Sequence, residues 1–165
     1  MAHPAARGYS ATQITLHWAI VLLVFFQLVF GESMSTVFRA AARGQSADAT
    51  DASLATAHIW VGFAILALAL IRLFIRLRDG APPAVDGPAA IVLAAKVTHV
   101  LFYILLIFVP LSGIIAYWVT PEAGDVHELA KPVFIILIIL HAGAALWHQF
   151  FLRDGLLMRM LKPGA

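Results

Sequence analysis

The chain has 165 residues, of which 62% are hydrophobic and 12% charged, with a formal net charge of +2. Soluble globular domains carry about a quarter of their residues as charged side chains, so this balance excludes a water-soluble domain, and the basic residues flank apolar segments as membrane topology asks rather than marking a nucleic-acid partner. There is no cysteine, which excludes disulfides, cysteine-held iron–sulfur clusters and covalent attachment through C-x-x-C-H.

Met1 to Ser10 is short and polar and lacks the charged start, apolar core and small-residue cleavage site of a signal peptide. Residues 11–30 read as a first membrane span, with His17 and Trp18 near its start, where an indole suits the interface. Gly31 to Ser53 is rich in Ala, Ser, Asp and Thr and reads as a loop with a short surface helix; Arg39 and Arg43 lie in it. The second span covers 54–77. His58 is near its start, and Gly62 follows one turn later on the same face, where a glycine lets a flat ring or a second helix approach the backbone. Arg72 falls on the same stripe as His58, and Arg76 one turn beyond. A turn-rich loop with Gly80, Pro82, Pro83, Gly87 and Pro88 leads to the third span, 91–119. Lys96 and His99 are near its start, Tyr117 and Trp118 mark its far end, and Pro110, Ser112 and Gly113 predict a kink or loosened turn between. The connector TPEAGD precedes the fourth span, 125–152, with Asp125 as its N-cap and Pro132 in its early turns. The tail from Arg153 to Ala165 is basic and amphipathic and is expected on the membrane surface.

These segments predict an all-α fold: one domain over 1–165, an integral membrane four-helix bundle running up-down-up-down. Arg7, Arg72, Arg76, Arg78, Lys96, Arg153, Arg159 and Lys162 fall on the side of the termini, and Arg39, Arg43 and Lys131 on the other, with most of the acidic residues. The positive-inside rule then puts both termini in the cytoplasm.

The fourth span carries the chemistry. His127, Phe134, His141 and His148 recur every seven residues, nearly the same angle on a helix, so they share one stripe. A lone histidine in an apolar helix is more often a hydrogen-bonded structural residue than a ligand. Ionisable groups inside a membrane are costly and tend to be functional, and matching histidines elsewhere strengthen that reading. His127 and His141 are roughly 21 Å apart along the axis at 1.5 Å per residue, far enough for each to hold the iron of a different haem. In the alternating topology His17 lies at the depth of His141, near the inner face, and His58 at the depth of His127, near the outer face. This predicts two bis-histidine sites, His17 with His141 and His58 with His127. Arg72 lies near the depth of His141, where it can pair with haem propionates or extend to the interface. His99 and His148 remain at the inner side. They can pair with each other, but depth favours the assignment above, which leaves them free for hydrogen bonding or proton relay.

Taken in order, several features are similar to the bacterial cytochrome b561 family over nearly the whole chain: LHW at Leu16–Trp18, His58 with Gly62, RLFIR followed by PP, THVLFYILLIFVPLSG, HE…LHAGAALWH and the tail RDGLLMRM. The resemblance implies a dihaem membrane cytochrome of the bacterial inner membrane, with two b haems on His17, His58, His127 and His141. It implies electron exchange with ubiquinone, for which His99 and His148 are candidate quinone-site residues. Some members are superoxide oxidases that take an electron from superoxide on the periplasmic side and pass it to ubiquinone. Arg39, Arg43 and Lys131 are then the candidate steering cations. The alternative is an electron-carrier subunit that links a partner dehydrogenase or cytochrome to the quinone pool.

Overall fold

The computed structural model describes residues 8–83 and 87–164. Arg7, named above as an inner cation, lies outside the described residues.

Helix α1, Ala11–Phe30, starts at a capping box. The Ser10 hydroxyl accepts from the Gln13 backbone N–H at 3.2 Å, and the Gln13 side-chain oxygen accepts from the Ser10 N–H at 3.1 Å, satisfying two donors that a helix start leaves bare. Gly31 ends α1, and α2, Glu32–Ala42, follows at once. The expected short helix in the first connector is therefore present. Helix α3, Ala49–Asp79, starts five residues before the apolar run, because the Asp48 carboxylate caps it. It accepts from the N–H groups of Thr50 at 2.7 Å and Asp51 at 3.0 Å. Gly80 ends α3 with φ +79°, a backbone angle that few residues other than glycine adopt.

Helix α4, Ala89–Trp118, runs through Pro110 without breaking. Helix α5, Ala123–Trp147, begins earlier than the sequence suggests: its N-cap is Glu122, not Asp125. Asp125 sits in the first turn, where a carboxylate favours the positive end of the helix dipole. Beyond Trp147 the chain winds as one π-helical turn, His148–Leu152, and leaves it through Arg153 in the left-handed conformation, φ 52°. A short 3₁₀ turn, Leu157–Met160, follows.

Among the described residues there are five α-helices and no strand, and α1, α3, α4 and α5 (with its π turn) are long and apolar enough to cross a membrane. Their directions follow from contacts. Gln27, late in α1, donates to the carbonyl of His58, early in α3, so these two helices are antiparallel. Gly113, late in α4, lies against His127, early in α5, so that pair is antiparallel too. This is the up-down-up-down bundle.

The buried centre is Ile20, Ile65, Ala69, Leu106 and Phe134, one layer drawn from all four long helices. Ala69 is fully buried, and its small side chain lets the helices close on one another. Outside this layer large apolar side chains point away from the protein, Leu22, Trp60, Phe74 and Leu77 among them. Such a surface is stable against lipid tails rather than water, and helices suit that setting because they bond their backbone polar groups internally.

The tail, expected on the membrane surface, is bonded to the end of the bundle. The Trp18 indole N–H donates to the Met160 carbonyl at 2.8 Å, Arg159 donates to the Pro83 carbonyl at 2.7 Å, and the Gly164 N–H donates to the Tyr9 carbonyl at 3.1 Å. The backbone groups of an irregular segment need partners, and the tail finds them by folding back across the end of the bundle that carries both termini.

Candidate functional site: two imidazole pairs

At the end of the bundle beside α2, the rings of His58 and His127 face each other with centroids 5.9 Å apart. At the end that carries the termini, His17 and His141 face each other at 6.4 Å. All four are half-buried. Between the pairs lies the buried layer that contains Phe134, seven residues from each histidine of α5, so the two sites are separate compartments on one helix stripe.

Two imidazoles bound through one nitrogen each to a single metal need about 2 Å per bond, which with the depth of the rings sets their centroids about 6 Å apart. Both pairs have that spacing. Among the described residues no three His, Asp or Glu side chains converge on a point where a bare ion would sit. Paired imidazoles suit an iron whose other four positions are filled by a porphyrin.

The second contacts of the rings fit this chemistry. His127 Nδ1 lies 2.9 Å from the Val109 carbonyl oxygen. A carbonyl only accepts, so the hydrogen bond assigns the proton to Nδ1 and leaves the Nε2 lone pair free for a metal. His58 Nδ1 is buried with no hydrogen-bond partner, and so is the side-chain oxygen of Gln27, whose Nε2 donates to the His58 carbonyl at 2.9 Å. Gly62, one turn after His58, turns toward α1: a Cβ there would meet Gln27 Nε2 at 3.5 Å, an ordinary contact. Gln27 was not marked by the sequence pattern, since a single glutamine in an apolar helix carries no spacing signal.

At the opposite end His141 has a second imidazole neighbour, His99, with centroids 5.4 Å apart and planes at 79°. Phe102 packs on the same ring at 5.2 Å. Arg72 is half-buried there, and its guanidinium donates to the Gln13 carbonyl. His148 does not meet His99. It is hydrogen-bonded through Nδ1 to the carboxylate of Asp154, which the π-helical turn and the left-handed Arg153 bring back toward it. Burial acts to raise the Asp154 carboxyl, but the His148 ring and the Leu156 N–H outweigh it and hold the carboxyl below its ordinary range. Beside this dyad is an open cavity of about 430 Å³ lined by Gln149, Phe150, Arg153, Gly155 and Met158. The side-chain oxygen of Gln149 is buried and unpartnered. Asp154 escaped the sequence reading because only the change of helix pitch brings the tail back to His148, and Gln149 because a single glutamine carries no spacing signal.

The three cations assigned to the outer side are not equivalent. Arg39 is ion-paired with Glu32 at 3.0 Å. Arg43 caps the end of α2, and Lys131 is exposed on α5. Helix α2 is tied to the head of α5 by the Ser35 hydroxyl, which donates to Glu128 at 2.6 Å, and to the end of α4 by Phe38 against Tyr117.

A family model described as prokaryotic cytochrome b561 matches residues 8–163. The chain is 37% identical to a cytochrome b562 of Cereibacter sphaeroides, covering 94% of this chain and 96% of that one. It is 32% identical to a protein of Yersinia pestis named a probable superoxide oxidase (94% and 96%) and 30% identical to cytochrome b561 homolog 1 of Escherichia coli (93% and 96%). The chain belongs to the prokaryotic cytochrome b561 family, multi-pass bacterial membrane proteins that transfer electrons and carry haem b.

Proposed function

We propose that this chain forms one four-span domain that holds two b haems, one on His58 and His127 and one on His17 and His141, and oxidises superoxide at the α2 end while reducing ubiquinone at the end that carries the termini. The observation that carries this reading is the pair of imidazole couples, 5.9 and 6.4 Å across, at opposite ends of the bundle. In this reading His17 opposes His141 at 6.4 Å, and His99 packs on the His141 ring at 5.4 Å. When bound, each haem supplies a one-electron ferric–ferrous couple. Arg72 is the cation available to propionates beside His17 and His141. In the overall reaction two superoxide anions become two dioxygen molecules, and ubiquinone takes up the two electrons and two protons to become ubiquinol.

The protons enter at the end that carries the termini. The His148–Asp154 dyad can hold and pass a proton, and the neighbouring cavity has the size of a small-molecule site. With the basic residues on that side, both termini face the cytoplasm and the chain sits in the inner membrane. The relative named a probable superoxide oxidase supports the choice of donor. The test is stopped-flow absorption of the purified holoprotein after a superoxide pulse, with and without ubiquinone. Prompt haem reduction, followed by reoxidation only when ubiquinone is present, is the expected result. Haems that stay oxidised under superoxide but are reduced by a quinol or a partner protein would replace this reading with the electron-carrier one.

A further inference from the structure

The stretch Val109–Gly113 of α4 stands out in the sequence as a proline-containing break, yet α4 passes through it as continuous helix. What it contacts is the His127 ring. A Cβ at Gly113 would lie 2.9 Å from His127 Cε1, 3.1 Å from Nδ1 and 3.7 Å from Nε2. The colliding atoms belong to a rigid aromatic plate rather than to the tip of a flexible chain. One turn earlier, the Val109 carbonyl lies 2.9 Å from Nδ1 of the same ring. Ser112 is buried, and its hydroxyl donates to that same carbonyl at 2.8 Å and stands 3.3 Å from Nδ1.

We infer that Val109, Ser112 and Gly113 of α4 are positioning residues for His127: Gly113 gives its ring room to lie against the α4 backbone, the Val109 carbonyl fixes its tautomer and tilt, and the Ser112 hydroxyl tunes that carbonyl. The inference rests on the proposed ligation of a haem by His127 and goes further, since it assigns a task to three residues on another helix. The ring is clamped between steric contact at 113 and a hydrogen bond at 109. A methyl at 113 forces either a turn of the imidazole or a retreat of α4, and both stretch the bond to Val109. Groups that accept the second N–H of a ligating histidine orient it and raise its basicity, and losing them typically weakens metal binding by about 10–100-fold. His58 has no such partner on Nδ1, so the two histidines of this pair are held unequally.

The experiment uses holoprotein purified in detergent, with haem-to-protein ratio by pyridine haemochrome and a redox-titrated spectrum. Gly113→Ala is compared with Gly143→Ala, where a Cβ would meet nothing within 4 Å, and with His127→Ala and Ser112→Ala. Gly113→Ala is expected to lose the haem that His127→Ala loses, retaining it about 10–100-fold more weakly, while Gly143→Ala keeps both. Ser112→Ala is expected to keep both haems and to lower the midpoint potential of that one alone. The Val109 carbonyl then has one donor fewer, its bond to His127 strengthens, and the more basic imidazole favours ferric iron. Wild-type haem content and potentials in Gly113→Ala overturn the inference, as does equal haem loss in Gly143→Ala. Should Gly113→Ala not accumulate, Ser112→Ala decides, because it adds no bulk, and an unshifted potential overturns the inference. A His127→Ala protein that keeps both haems sinks the ligation itself; haem loss in His127→Ala beside wild-type Gly113→Ala and Ser112→Ala sinks only the positioning role.

Discussion

The indole of Trp18 donates to the carbonyl of Met160 at 2.8 Å, tying the C-terminal tail to the helix that carries His17. His17 and Trp18 rings touch, with centroids 5.4 Å apart, so the tail is anchored beside one imidazole pair. One hydrogen bond contributes about 1 kcal/mol net, roughly a fivefold change in an equilibrium. Trp18→Phe keeps the ring and removes the donor. The expected outcome is an unchanged haem spectrum with tail cleavage in limited proteolysis about fivefold faster. Wild-type protection of the tail would show that this bond does not hold it.

The proposed pairing makes a sharp statement about haem loss. His58→Ala and His127→Ala are each expected to remove one haem, and His17→Ala and His141→Ala the other, so that every variant keeps about half the pyridine haemochrome signal. The spectra of the first two should match each other and differ from those of the second two. His99→Ala should retain both haems. Loss of the same haem from His99→Ala and His141→Ala would exchange His99 for His17 as the partner.

Asp154 gives a pH-dependent test. Its carboxyl lies below the ordinary value of 3.8, held there chiefly by the His148 ring and the Leu156 N–H against the opposing effect of burial. A depressed folded pKa means that the contribution is fully present above 3.8 and is lost as pH falls through the lower folded value. The tail should therefore stay protected from proteolysis across neutral and mildly acidic pH and be released only in strong acid. Asp154→Asn is expected to release it already at neutral pH and to slow ubiquinone reduction about 10-fold or more while leaving both haems in place. His148→Ala should slow the quinone step similarly. If His148→Ala instead loses a haem, His148 is a ligand.

Arg43 and Lys131 bear on the encounter with superoxide. Arg39 already has Glu32 as a partner, so its removal should matter least. Exposed charges act on the association rate and are screened over roughly 8 Å at physiological salt. Haem reduction by superoxide should slow as salt rises, and Arg43→Gln with Lys131→Gln should lower the low-salt rate several-fold and flatten the salt dependence. A salt-independent rate in the unaltered protein would remove steering from the account.

The sequence was enough to place the four spans, because an apolar run long enough to cross a bilayer has few other stable fates. It also determined the depth of each histidine, since depth along a straight helix is linear in residue number. The family pattern was equally plain in the order of LHW, His58, VPLSG and the histidines of α5. Depth alone does not say which rings face each other. His17 and His99 both lie near the depth of His141, and only the packing of α1 and α4 around α5 sets one at 6.4 Å and the other at 5.4 Å. The clamp on His127 was hidden for the same reason: a glycine's meaning depends on what lies across from it, and Gly113 and Gly62 look alike in sequence, but a Cβ would meet an imidazole at 2.9 Å at the first and a glutamine at 3.5 Å at the second. The tail fold was hidden by a change of pitch. A π-helical turn and a left-handed Arg153 return Asp154 to His148, a partnership that no regular helical period contains.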